Sequence, residues 1–276
     1  MKAYTGRLAW GLAALSLSVT CAGIALVLLN PAGLPLNDPN GSAWIDYLES
    51  LMFPIVGALV AWKQPNNPVG WMLLLYSLAQ ATVVLISAYA QHGVLIDPGS
   101  LPGAGGAAWA STWLWILPLL LIPLVLLHFP NGRLPSPGWR WFRRLCGLPA
   151  ALLVAPALAW LGKPARKYFL LEGGNLLGEE WAAPLLTGVF ATLLLSVLVS
   201  LLSMVVRYRR SGQKERQQLK WIMLAVGLLV ASGVWEGFLP GFSHLQAAVG
   251  AVAFAGIPAS MGIAILRYRL YDIDLI

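Results

Sequence analysis

Side chains able to bind an ion or move a proton are few in this sequence, and most stand at the ends of apolar runs. Asp46 and Glu49 are spaced i,i+3, which puts two carboxylates on one face of a helix. Glu236 stands beside Trp235 at the end of a later run, and His92 and His244 fall on the same expected side of the molecule. These five could line a polar pocket for a cation, a proton or a small ligand. The competing reading is that each reaches interfacial water, since none lies deep enough in a run to require a partner. His128 closes another run, and none of the three histidines sits in a soluble helical segment beside an acid, as a phosphoacceptor needs. There is no His-Glu-x-x-His motif and no Cys/His cluster for zinc. The stretch Gly103-Ala104-Gly105-Gly106 lacks the Lys and Ser/Thr of a phosphate-binding loop. No nucleophile elbow is present. The chain is therefore expected not to be an enzyme and to hold no metal or cofactor.

The elements that must carry these residues are apolar helices. At 58% hydrophobic and 11% charged, with a mean hydropathy of +0.72, the composition excludes an ordinary soluble domain. A bilayer-spanning helix needs roughly 17–25 mainly apolar residues. Eight runs qualify: Leu8–Leu29, Trp44–Trp62, Trp71–His92, Trp109–Phe129, Leu145–Leu161, Pro184–Val206, Leu219–Leu239 and Ala247–Leu266. Fifteen of the eighteen Lys and Arg residues fall in alternate short loops, leaving Lys163, Arg166 and Lys167 as the exceptions. By the positive-inside rule those loops and both termini are cytoplasmic. The expectation is an all-α polytopic bundle of about eight transmembrane helices, N-in and C-in, forming one membrane-embedded domain over 1–276. No length remains for a separate catalytic domain. The net charge of +7 lines the inner face, where it meets anionic lipid headgroups rather than nucleic acid.

Finer features fit that frame. Lys2 and Arg7 precede an apolar stretch too long for a signal-peptide core, so an uncleaved first helix is expected. Two sets of tryptophans mark the interfaces: Trp44, Trp109, Trp113, Trp160, Trp181 and Trp235 outside, and Trp10, Trp62, Trp71, Trp139, Trp141 and Trp221 inside. Pro54, Pro118, Pro123, Pro156 and Pro258 are expected to kink their helices. The last span carries small residues in two rows, Ala247/Ala251/Ala255/Ala259 and Ala248/Gly256/Ser260/Ala264. Such rows permit close helix approach, either within the bundle or across a homodimer contact. Cys21 and Cys146 fall in different spans and are expected to pack as small apolar residues.

The distinctive loops all lie on the inner side. Two are tight turns built on Asn-Pro and Asn-Gly: Lys63–Trp71, with Asn66 and Asn67, and Phe129–Ser136, with Arg133. A third, Gly212–Trp221, reads as a helix running into the seventh span, with Arg216 and Lys220 on one face at i,i+4. The last is Arg267–Ile276, with Arg269, Asp272 and Asp274. In that order, Pro-Asn-Asn-Pro-Val-Gly-Trp, Phe-Pro-Asn-Gly-Arg-Leu-Pro-Ser, Glu-Arg-Gln-Gln-Leu-Lys-Trp and Arg-Tyr-Arg-Leu-Tyr-Asp-Ile-Asp-Leu-Ile resemble the N-terminal membrane region of a group of bacterial sensor histidine kinases. The resemblance covers essentially the whole chain.

The resemblance implies a membrane sensor or input module of a two-component system in the bacterial cytoplasmic membrane. It implies a cytoplasmic kinase module or partner that receives the signal through the eighth helix and residues 267–276, with Asn66, Asn67, Arg133, Arg216, Lys220, Arg267, Arg269, Asp272 and Asp274 as the candidate output residues. It departs from the group in one respect: the chain ends directly after the last motif, with neither phosphoacceptor histidine nor ATP-binding boxes. Asp272 and Asp274 could pair with Arg216 or Lys220 in one of two helix packings. The rival readings are a small multi-pass transporter or channel, which needs polar residues facing one lumen, and an intramembrane enzyme, which needs paired acids and histidines.

Overall fold

In lipid each backbone polar group must find its partner inside the chain, so apolar runs of this length fold as helices. The computed structural model describes residues 2–29, 43–161, 182–238, 252, 254 and 256–263, and these are helices joined by short turns, with no strand among them. The helices are α1 (Lys2–Leu28), α2 (Ala43–Lys63), α3 (Pro68–Gln91), α4 (Ala104–Leu114), α5 (Ile116–His128), α6 (Trp139–Leu145), α7 (Leu148–Trp160), α8 (Ala182–Arg210) and α9 (Gln213–Phe238). A π-helical turn, His92–Ile96, extends α3, and residues 256–263 form a further helical segment.

Four stretches are long and apolar enough to cross a membrane: Tyr4–Leu28, Pro68–Ile96, Ala104–His128 and Thr187–Arg210. Ser50–Lys63 and Leu219–Leu228 are shorter apolar stretches. The fourth expected span is broken at Trp115, and Pro118 supplies the reason. Inside an unbroken helix its ring would press on the carbonyl of Leu114; the break moves it into the first turn of α5, where no N–H is needed. Pro54 and Pro123, by contrast, lie within continuous helices. The fifth expected span is represented by α7, whose 13 residues reach only about 20 Å, short of a hydrocarbon core of about 30 Å. As expected, α9 begins in the polar loop at Gln213 and runs on without a break.

Small residues decide how closely the first three helices pack. The buried face of α1 reads Gly6, Ala9, Ala13, Ser16, Thr20 and Gly23, at alternating spacings of three and four. This narrow seam lies against α2 and α3. Between α2 and α3, a Cβ on Gly70 would come within 2.6 Å of the Ala61 backbone N, and one on Gly57 within 2.9 Å of that of Leu74. The second half of the chain packs on this unit through Phe53, Tyr76, Val125, Met204, Ile222 and Met261.

The outer surface of the bundle is apolar, as α8 shows. On α8, Ser196, Ser200 and Ser203 face inward while Leu194, Leu195 and Leu202 are each about 60% exposed. Each inward serine donates to a backbone carbonyl, Ser200 to that of Pro123 across the α5–α8 contact at 3.0 Å. On α8, apolar side chains outside and satisfied hydroxyls inside are the arrangement of a helix solvated by lipid.

Trp10, Trp62, Trp141 and Trp221 are exposed, as interfacial anchors need to be. Trp113 departs from the expected outer belt and is buried with Ile116 and Val189. The described part of the last span packs within the bundle: Gly256 faces Ala225 of α9, and Gly262 faces Val56 of α2.

The Gly70 contact makes a direct prediction. Gly70→Ala places a methyl against backbone that cannot turn aside, and is expected to cost about 1–3 kcal/mol. Gly188→Ala, with nothing within 4 Å, is expected to be neutral or slightly stabilising. Thermal unfolding of both variants in detergent, followed by circular dichroism, checks the difference.

Candidate functional site

Of the turns expected on the inner side, three are described, and all gather at one end of the bundle. The start of α1 joins them there, since Gly6 lies against the Trp62 ring at the end of α2. The chain reverses at the opposite end between α3 and α4, where the Tyr89 hydroxyl donates to the Pro102 carbonyl. There too the Trp109 indole donates to the Ala157 carbonyl near the end of α7.

Asn67 begins the site. Its extended backbone (φ −89°, ψ 114°) and the Pro68 that follows set up the first turn of α3, and its Oδ1 accepts from the Val69 N–H at 3.1 Å. That is an N-cap with proline at the first helical position, which satisfies a donor that the helix leaves unpaired. Its Nδ2 reaches 63 residues along the chain and donates to the Pro130 carbonyl at 2.9 Å. The Trp71 indole closes the same turn by donating to the Pro65 carbonyl at 2.9 Å. Asn66 is exposed and takes no part in the Asn67 cap or its reach to Pro130.

The receiving turn, Phe129–Gly132, is shaped to fit. Gly132 has φ +73°, and a Cβ there would meet Pro68 Cδ at 2.4 Å and Asn67 Oδ1 at 2.8 Å. Only glycine satisfies both the left-handed backbone and the close approach. The turn also holds the end of α5. The Phe129 N–H donates to the Val125 carbonyl at 3.0 Å and the Gly132 N–H to the His128 carbonyl at 2.7 Å. The buried His128 ring is 2.8 Å from the Leu124 carbonyl through Nδ1.

Arg207, near the end of α8, completes the knot. Its guanidinium donates to the Leu127 carbonyl at 3.1 Å, to the Arg133 carbonyl at 2.8 Å and to the Phe129 carbonyl. A fork of donors on a positive charge suits the negative end of a helix and its unpaired carbonyls. The device recurs one step later. Arg216 on α9 donates to the carbonyls of Tyr208 and Arg209 at 3.1 and 3.2 Å, capping α8, with its guanidinium 5.8 Å from the Tyr208 ring centre. A continuous set of side-chain-to-backbone bonds thus runs from the α2–α3 turn, through the end of α5, to α8 and α9.

The expected outer pocket fares differently. Asp46, Glu49 and Glu236 occupy helical positions in α2 and α9, but their side chains lie outside the described residues, as does His244. His92 starts the π-helical turn, half-buried, with its Nδ1 buried and without a hydrogen-bond partner. Arg267, Arg269, Asp272 and Asp274 also lie outside the described residues. Lys220 and Arg216 are both exposed, and Arg133 contributes its carbonyl rather than its charge.

The sequence marks Asn67 as a turn former and a candidate relay residue without naming its partners, and Arg207 only as a topology signal. The signals that could have placed them are an Asn-Pro pair directly before an apolar helix and a cation in the last turns of a helix.

Removing either end of the knot is expected to leave a buried carbonyl without its donor. Asn67→Ala and Arg207→Gln are each predicted to cost about 1–3 kcal/mol, and Arg207→Lys is not expected to restore the loss, because a single ammonium cannot reach the same set of carbonyls. Asn66→Ala is the control and is expected to stay within about 0.5 kcal/mol of the parent. Unfolding in mixed micelles measures all four. No family model, curated protein or solved structure matches this chain, so the role of the knot rests on its own chemistry.

Proposed function

We propose that this chain is a membrane-embedded input module of the kind that feeds a two-component histidine kinase. In this reading it has eight spans with both ends in the cytoplasm of a bacterial cell and no catalytic activity of its own. The observation that carries the reading is the bonding of Asn67 and Arg207 to one turn, Phe129–Arg133. Two of the four motifs behind the resemblance thereby meet at the basic end of the bundle, and Arg216 of a third is bonded to the end of α8, the helix that carries Arg207. A stimulus that shifts α3 or α5 would be felt by α8 and, through Arg216, by α9. Such a shift requires a ligand or membrane state that favours one packing over another. The partners in this reading are anionic lipid at the basic face, a cytoplasmic kinase module, and a second copy where the module works as a dimer.

A transporter or channel is less well supported. Ser77, Ser196, Ser200 and Ser203, buried on α3 and α8, each donate to a backbone carbonyl, which leaves Ser16 and Thr20 on α1 as buried hydroxyls without a partner among the described residues.

Two measurements test the proposal. Reporter fusions after Lys63, Arg140 and Lys214 are expected to report cytoplasm, and fusions near Gly103 and Gly174 the opposite side; one inverted pair breaks the topology from that point onward. A chimera joining this chain at Ile276 to a kinase module is expected to change its basal output several-fold when Asn67→Ala or Arg207→Gln is introduced. Unchanged output from both folded variants would remove the knot from the relay.

A further inference from the structure

The two halves of the chain meet around an apolar cavity of about 90 Å³, walled by α2, α3, α5, α8, α9 and the final helical segment. One side is aromatic: Phe53 stacks on Tyr76 with ring centres 4.3 Å apart and meets Phe254 at 5.8 Å. Ile122, Val226 and Met261 face these rings, and no polar atom is presented to the space.

We propose that this cavity is a binding site for a small, uncharged, apolar molecule that partitions into the bilayer. The chemistry of the wall selects the class. A polar or charged ligand would give up its hydrogen bonds to water and find none here. Water itself needs two to four polar partners to occupy a buried site, so the cavity is dry. Size sets the rest: an engineered apolar cavity of about 150 Å³ takes benzene or xenon, so this smaller one suits roughly two to four heavy atoms. An empty apolar void forfeits dispersion contacts along its lining, and a fitting guest restores them. Because the wall draws on both halves of the chain, a guest favours the packing in which Phe254 and Met261 close against Phe53 and Tyr76. The site rests on this geometry and stands whether or not the chain signals to a kinase.

The test uses the full chain in lipid nanodiscs with xenon as the probe, followed by xenon NMR. The parent is expected to show a saturable signal distinct from lipid-dissolved xenon. Val197→Phe, which fills the cavity from α8, is expected to abolish it, and Leu198→Phe, on the exposed face of the same helix, is expected to retain it. Absence of a distinct signal in the parent, or its persistence in folded Val197→Phe, overturns the proposal. Should Val197→Phe fail to accumulate, Ile122→Ala enlarges the cavity instead. Several-fold higher xenon occupancy at fixed pressure then supports the site, and unchanged occupancy overturns it.

Discussion

The carbonyls at the end of α5 set the central constraint on this molecule. A helix leaves its last four C=O groups without partners, and at the end of α5, where Leu127, His128 and Phe129 are buried, water is not at hand to satisfy them. Three of the four are met here: the Phe129–Gly132 turn answers Val125 and His128, and Arg207 takes Leu127. The His128 ring lies on the Leu124 carbonyl just before them. Beyond the helix Arg207 also takes the Phe129 carbonyl and Asn67 that of Pro130. Because two of these donors come from other helices, satisfying one helix end also fixes α3 and α8 against it. The local backbone requirement and the tertiary arrangement are the same set of bonds.

The rest of the bundle follows from a related constraint. With lipid outside, burying apolar surface gives little preference for one helix contact over another, and van der Waals fit decides. The seam of Gly6, Ala9, Ala13, Ser16, Thr20 and Gly23 on α1, and Gly57 and Gly70 between α2 and α3, allow backbones to approach where larger residues would hold them apart. The second half is packed by larger side chains, and the 90 Å³ void remains where it meets the first. The molecule thus joins a tightly fitted half to a more loosely filled one, with the polar knot at the end they share.

Much of this was legible in the residues, and the gaps have physical reasons. Helical class follows from run length and composition alone, because no other open structure satisfies its backbone in lipid. The continuous entry into α9 was readable from Gln213 onward, since nothing between Gln213 and Trp221 breaks a helix. The break at Trp115 was not foreseen, although Pro118 marked it: a proline can kink a helix or begin a new one, and the neighbours decide. Trp113 was misplaced because a tryptophan near a helix end is an anchor or a core residue according to which face it shares. The small seam on α1 was readable at spacings of three and four, and was overlooked beside the more obvious rows near Ala255. The knot itself was out of reach of local pattern, since Asn67 and Pro130 lie 63 residues apart and Arg207 and Phe129 lie 78 apart.

The central claim is that Asn67 and Arg207 act on one shared turn, and a double-mutant cycle tests it most directly. The unfolding free energies of the parent, Asn67→Ala, Arg207→Gln and the double variant would be measured in mixed micelles. If both residues hold the Phe129–Arg133 turn, the first loss loosens the turn for the second. The double variant is then predicted to fall short of the summed single losses by at least about 0.5–1 kcal/mol. Additivity within about 0.3 kcal/mol would mean that the two residues hold separate parts of the structure, and would contradict the account.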